Sequence, residues 1–365
     1  MKTPFNLQGA RRDIVIMSPA SQEAAVKQVI SISLGPSEKD YQFETEFLGQ
    51  DFIIKRFGTD GNMEKAAELL LKWDKDAEAI GLGNVKFPYG FGPRYLTKKH
   101  HHKLRELGAQ IQTPVTIGSA LRDVSFEWAL RYIEYKFGNY FDNARVLFLS
   151  GMNNYRIAKV ISEFTDNLSF ADPVIENGVP KFVNSLKDFK SYAHGAHEVL
   201  QWVPSKRLTT SVMPIKAWND YILRKAMQKA DIIVAPYYNF DEYFKNAGLE
   251  ELGGKTIITS TVYDERVAFF KEKGVDVIID TTPKILQQVV APNVLEALII
   301  AALGKKRDQI QPDDLLEIIS EQKMDPRVVY PSGKSKRVNR FAFVIHPLSK
   351  EFLKKDKAVD ALASF

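Results

Sequence analysis

The residues that could do chemistry cluster around one strand-to-helix passage. Residues 146–149 (VLFL) are an apolar run of the length of one buried strand, Gly151 breaks it, and Asn153 or Asn154 can cap a helix with apolar positions at Ile157, Val160 and Ile161. A helix start offers free N–H groups and the positive end of a dipole to a phosphate. A second short run, 168–171 (LSFA), leads to Asp172. That is about the spacing at which a nucleotide-binding βαβ unit keeps the acid that accepts ribose hydroxyls. The pattern predicts a pyrophosphate over Gly151, Asn153 and Asn154, and a ribose near Asp172. An acid at that point favours NAD over NADP. The loop departs from the dinucleotide fingerprint, which needs three glycines where only Gly151 is present. The other reading is an ordinary turn in an α/β core.

A second constellation lies in the long loop GLGNVKFPYGFGPRY, residues 81–95. Loops this long and rich in glycine and aromatics usually bind something. Asn84 and Lys86 follow a strand there, and Arg94 with Tyr95 can hold a carboxylate or phosphate. Thr281 and Thr282 end the last strand before Pro283, where parallel sheets line their ligand crevice. His100, His101 and His102 are consecutive, so they point in different directions on a helix and cannot share a metal as an i, i+4 pair. No metal site is expected. The chain has no G-x-S-x-G elbow and no Walker loop, which argues against a serine hydrolase and a P-loop enzyme.

Composition sets the frame for these residues. The 365 residues are 45% apolar with a net charge of +5, and cysteine is absent, so disulfides and thiolate metal sites are excluded. The basic clusters at 98–103, 305–307 and 334–340 lack interleaved aromatics and read as solvated surface; no nucleic-acid partner is expected. No apolar run reaches membrane-span length, and the short run at 14–17 is too brief for a signal peptide, so a cytoplasmic location is expected.

Strand and helix patterns alternate along the chain. The first set has strands at 29–34, 41–47, 52–57, 77–82 and 115–117, with helices at 62–73, 98–107 and 119–137. The second has strands at 146–149, 168–171, 232–235, 256–260 and 275–279, with helices between them and a buried one at 293–303. Alternation of this kind predicts right-handed crossovers and parallel sheets. The expected fold class is α/β, with two α/β domains, the second a doubly wound Rossmann-like parallel sheet whose central strand is 146–149. The expected division is an arm at 1–25, a substrate-side domain at 26–138, a nucleotide-binding domain at 139–330, and a basic linker with a C-terminal strand at 331–365.

Several stretches carry a family resemblance. VISISLGPSEKDYQFETEFLGQDFIIKRFGTDG, AIGLGN, ADIIVAPYYNF, VIIDTTP and APNVLEALIIAALGK together resemble a prokaryotic quinate/shikimate 5-dehydrogenase-like family over about residues 28–330. The resemblance implies an NAD(P)-dependent oxidoreductase acting on a small hydroxy- or oxo-carboxylic acid, with NAD or NADP as cofactor. Lys86 would then move the proton, while Asn84, Arg94 and Tyr95 would bind substrate. The sequence departs from that family's motif, because Tyr89 and Gly90 rather than a lysine follow Pro88. Separately, RFAFVIHPLSKEF resembles the opening of acyl-carrier-protein reductases that form aldehydes. This implies a reductase module or partner protein reached through the C-terminal tail. The alternative function is a non-catalytic Rossmann-like domain that binds a nucleotide or such a partner.

Overall fold

The computed structural model describes residues 26–85, 99–200, 213–236, 243–244, 246–282, 286 and 290–333. Two α/β units are built from these, each around its own sheet. The first sheet has the order β2-β3-β1-β4-β5, formed by β1 (Lys27–Ser33), β2 (Tyr41–Phe47), β3 (Gln50–Gly58), β4 (Ala79–Gly83) and β5 (Val115–Thr116). Only β2 runs antiparallel, as half of a hairpin with β3. Its two-residue turn needs left-handed backbone at both positions, and Leu48 (φ 50°) and Gly49 (φ 69°) supply it. Helix α1 (Met63–Trp73) begins where the Asn62 side chain accepts the Lys65 N–H at 2.9 Å, and it buries Ala66 and Leu70 against one sheet face.

The opposite face of that sheet is covered from the far end of the chain. Helix α2 (Lys99–Gln110) packs against α1, whereas the other side of β1 and β4 meets a helix over Pro292–Leu303, here α10. The alternating pattern places residues 293–303 with the second set of strands; the structure puts them on the first sheet. Every residue from Asn293 to Ala301 is buried. A helix that is apolar all round has no stripe to point at its partner, so periodicity could not assign it. Its start presses on Gly118, where a Cβ would lie 2.3 Å from the Asn293 nitrogen and φ is +75°. Only glycine fits there.

The second sheet has the order β11-β10-β9-β8-β6-β7. Strands β6 (Val146–Phe148), β7 (Leu168–Phe170), β8 (Ile232–Val234), β9 (Thr256–Thr259) and β10 (Val277–Asp280) are parallel, and β11 (Arg327–Val329) is antiparallel to β10. The expected doubly wound arrangement is present. The expected centre is not: β6 stands next to the edge strand β7, and β8 and β9 are innermost. Buried parallel strands all read as short apolar runs, so their lateral order is not in the pattern. Strand β11 escapes the pattern altogether, being three half-buried residues, too few to show a period.

The chain passes between the two units more than once. The first passage is helix α3 (Ser119–Phe137), with Leu121 in the first unit's core and Phe126, Leu130 and Ile133 in the second's. The chain returns after β10 to α10 and α11 (Pro312–Glu321), then crosses again to β11. No helix among the described residues is long and apolar enough to cross a membrane. The arm at 1–25 and the strand expected at 341–345 lie outside the described residues.

Candidate functional site

The turn after β6 is held by the acid expected to hold a ribose. The Gly151 N–H donates to Asp172 Oδ2 at 2.8 Å, and the Met152 N–H donates to Asp172 Oδ1 at 3.0 Å. The N–H groups that would cradle a pyrophosphate are therefore already spent, and a buried carboxyl stands where phosphate oxygens would need to be. Gly151 is a glycine for a packing reason. A Cβ there would lie 2.5 Å from the Phe170 ring and 2.6 Å from the Phe189 ring, which stack on each other with centroids 4.1 Å apart. Asn154 occupies the N-cap of α4 (Tyr155–Ile161) but does not cap it; its Nδ2 donates back to the Ser150 carbonyl at 2.9 Å. Asn153 Nδ2 donates to Ser150 Oγ at 2.6 Å. Asp172 itself opens a six-residue helix, α5 (Asp172–Asn177). Burial pushes its carboxyl up to about 7, against the two N–H bonds that favour the ionised form.

The same arrangement recurs at two other strand ends. Asp280, ending β10, accepts the Val262 N–H at 3.0 Å from the turn after β9, and the Thr282 N–H at 3.0 Å. Burial raises its carboxyl too, while Arg327 of β11 pairs with it at 3.1 Å. In the first unit Asp60, after β3, accepts from the Ser37 N–H and the Ser37 hydroxyl, both at 2.8 Å, in the turn after β1. Those bonds hold the Asp60 carboxyl below its usual range. Each aspartate ties the turn of a neighbouring strand. Thr281 and Thr282 are likewise turned inward: Thr281 Oγ1 donates to the Thr259 carbonyl at 3.1 Å, and Thr282 Oγ1 accepts the Thr261 N–H at 3.1 Å.

The first turns of α3 bring the two sets of strand ends together. Arg122 Nη2 donates to the Asn153 carbonyl at 3.3 Å, joining α3 to the turn after β6. Thr281 and Thr282 from the end of β10 share a small crevice with Leu121, Arg122, Pro292 and Leu295. Next to Pro292, the Asn293 amide donates to Ser31 Oγ at 3.3 Å, inside β1. Buried Glu296 accepts from Thr116 Oγ1 at the end of β5 and from the Leu121 N–H at 2.7 Å. Asp123 lies in the same neighbourhood; its carboxyl is raised chiefly by burial, with Arg122 and Arg156 opposing and Glu296 adding to the shift. Thus the C-terminal edges of both parallel sheets meet at one junction. In doubly wound sheets ligands bind outside those edges, where the strand order reverses. The reversals fall between β1 and β4 and between β6 and β8.

Of the residues singled out from the sequence, Gly151, Asn153, Asn154, Asp172, Thr281 and Thr282 all lie at strand ends on this junction side. Asn84 follows β4, exposed and left-handed at φ 56°. Lys86, Arg94 and Tyr95 lie outside the described residues. Arg122, Asp123, Asn293 and Glu296 went unnoticed because each sits within a helical stretch that reads as core. Among the described residues no group of histidine, aspartate and glutamate side chains could hold a metal ion.

Fold and site define a two-unit α/β protein whose sheets turn their C-terminal strand ends toward a common junction. The chain belongs to the family described as Domain of unknown function (DUF8754), whose model matches residues 120–331. A second model, Domain of unknown function (DUF8753), matches residues 28–117. No curated protein matches the chain. Solved structures similar to it include an ABC transporter solute binding protein from Agrobacterium vitis with bound D-fucose, at 10% identity and TM-score 0.38, covering 88% of this chain and 98% of that one. Another is a periplasmic solute binding protein from Actinobacillus succinogenes with bound D-allose, at 13% identity and TM-score 0.33, covering 84% and 98%. A glucose-galactose binding protein from Geobacillus stearothermophilus stands at 10% identity and TM-score 0.33, covering 84% and 98%. Scores this low do not establish a shared fold.

These findings correct the sequence-based function. The matching family models are described as domains of unknown function and are not those of quinate/shikimate dehydrogenases, and the turn after β6 is closed by Asp172 where the dehydrogenase reading needs a cofactor phosphate. The expected NAD or NADP is withdrawn with the dehydrogenase, and so is the nucleotide-binding alternative, because Asp172 occupies the turn that a dinucleotide needs. Both family models end before the C-terminal residues that resemble a reductase, and a reductase partner has no support among the matches.

Proposed function

We propose that this protein binds a small, neutral, hydroxyl-rich molecule, a sugar or related polyol, at the junction between its two α/β units. The observation that carries this reading is the convergence of both C-terminal sheet edges on the first turns of α3, through the Arg122–Asn153 bond on one side and the Glu296 bonds to Thr116 and Leu121 on the other. The polar side chains on that side fit such a ligand. Asn84, Arg122 and Asn153 each carry paired oxygen or nitrogen atoms on a planar group, the geometry that matches adjacent hydroxyls. Binding sites of this kind place a few polar groups in an otherwise apolar frame. The strand-end aspartates hold the turns still, so little ordering cost remains for the ligand.

A panel of neutral mono- and disaccharides screened by melting-temperature shift, followed by calorimetry, tests the reading. At least one should raise the melting temperature and bind with 1:1 stoichiometry. Asn84→Gly removes the amide without straining a left-handed position and should weaken that ligand roughly 10-fold or more, the range for one lost hydrogen bond. A panel with no responder, or a ligand indifferent to Asn84→Gly and to Asn153→Ala, would overturn the reading.

A further inference from the structure

A second concavity lies at the opposite end of the second unit. It is a groove of about 800 Å³ at the N-terminal edge of β6 and β7, roofed by a helix over Met213–Lys229, here α7. Its apolar surface comes mainly from the half-buried Phe182, Ile222 and Ala226, with Val146, Leu147 and Leu168 buried behind them. A volume of this size is in the range of sites for organic ligands.

The charge around the groove is one-sided. Arg145, Lys181, Lys225 and Lys229 line it, with Asp166 as the acid among the lining residues. Arg145 is committed to Asp231 at 2.9 Å. Among the described residues none of the three lysines is in an ion pair, and Lys225 Nζ donates to the neutral Gln228 Oε1 at 3.0 Å. The α7 face that brings Ile222, Lys225 and Lys229 to the groove continues into Trp218 and Tyr221, spaced so that all lie on one side of a helix. These two rings are 55% and 44% exposed, with centroids 5.5 Å apart, and the Lys225 ammonium is 5.9 Å from the Tyr221 ring. An apolar trough lined by three cations, with exposed aromatics farther along the same helix face, is complementary to a molecule with an apolar body and a negative head.

We propose that this groove is a second binding site, for a free amphiphilic carboxylate. Its tail lies against Phe182, Ile222 and Ala226, and its head is held by Lys181, Lys225 and Lys229. The site is separate from the junction, since it opens at the starts of the strands rather than at their ends.

Calorimetry on the whole chain with decanoate, decanol and decyltrimethylammonium tests this. Decanoate should bind saturably, one per chain, and at least 10-fold more tightly than either of the others. The double variant Lys225→Gln/Lys229→Gln should weaken decanoate at least 10-fold, and Ile222→Trp, which fills the trough, should abolish binding. Neither change should alter a sugar bound at the junction. Equal binding of decanoate and decanol, binding unchanged in both variants, or no binding of decanoate at all would overturn the proposal. Preferential sedimentation with phosphatidylglycerol vesicles over free decanoate would do the same, by making the groove a membrane-surface contact.

Discussion

The two carboxyl oxygens of Asp172 close the turn after β6. Its distance from Gly151 matches that of a ribose-binding acid, yet its carboxyl accepts the two turn N–H groups and is fully buried. This has a consequence for pH. The unfolded chain releases the proton near its ordinary value of 3.8, while the folded chain holds it to about 7. Between those values the folded state binds the extra proton, so stability falls as pH rises from about 4 to about 7, by on the order of 2–4 kcal/mol. Asp280, raised in the same direction, adds to the slope. Chemical denaturation at a series of pH values should show this decline. In Asp172→Asn the decline should be shallower, with about 1–2 kcal/mol lost at pH 4, because an amide offers one acceptor to two N–H donors. A profile as steep as that of the unaltered chain would mean that Asp172 does not titrate in this range.

At the scale of elements, α3 is the strut that both units share. Its start is capped from the first unit by Glu296, whose carboxylate accepts the Leu121 N–H. Farther along, Glu127 pairs with Arg156 of α4, and Arg131 bridges Glu127 at 3.0 Å and Glu163 at 3.1 Å. The surface pairs are screened and contribute little each. The buried Glu296 is different, since replacing it leaves the Leu121 N–H and the Thr116 hydroxyl without an acceptor away from water. Glu296→Ala is expected to cost about 3 kcal/mol or more, and Glu127→Ala less than about 1 kcal/mol. Urea denaturation of the two variants side by side gives the comparison, and similar losses would refute the capping role assigned to Glu296.

For the molecule as a whole, the repeated passage of the chain makes the units interdependent. The first sheet buries Val29, Phe52, Ile54 and Ala79 against Leu295, Leu298 and Ile299, which come from the other end of the sequence. A fragment of residues 26–118 contains all five strands of that sheet but lacks α10 and α11. Its uncovered face would be a large apolar patch on an otherwise regular sheet, a condition that leads to aggregation. Expressed alone, the fragment should lack a cooperative melting transition by circular dichroism, whereas the full chain should unfold in one transition. A fragment that melts cooperatively as a monomer would show that the first unit is self-sufficient.

The α/β class, both hairpin strands, the helix at 62–73, the span of α3 and most strands of the second sheet are legible in the residues, because apolar period and turn types are local properties of a chain. The strand ends are partly legible too: Gly151, Asp172, Thr281 and Thr282 read as strand-end residues, and they lie there. What those side chains bond to was not legible. Asp172 meets the Gly151 turn only because β7 pairs beside β6, and Glu296 meets Leu121 only because α10 returns to the first sheet. The order of strands, the destination of a helix apolar on every side, and the short β11 depend on contacts between residues far apart in the chain. No spacing within a segment encodes them. The dehydrogenase reading fails at that same point: spacing sets an acid at the distance of a ribose contact, and the packed sheet supplies that acid with two backbone partners.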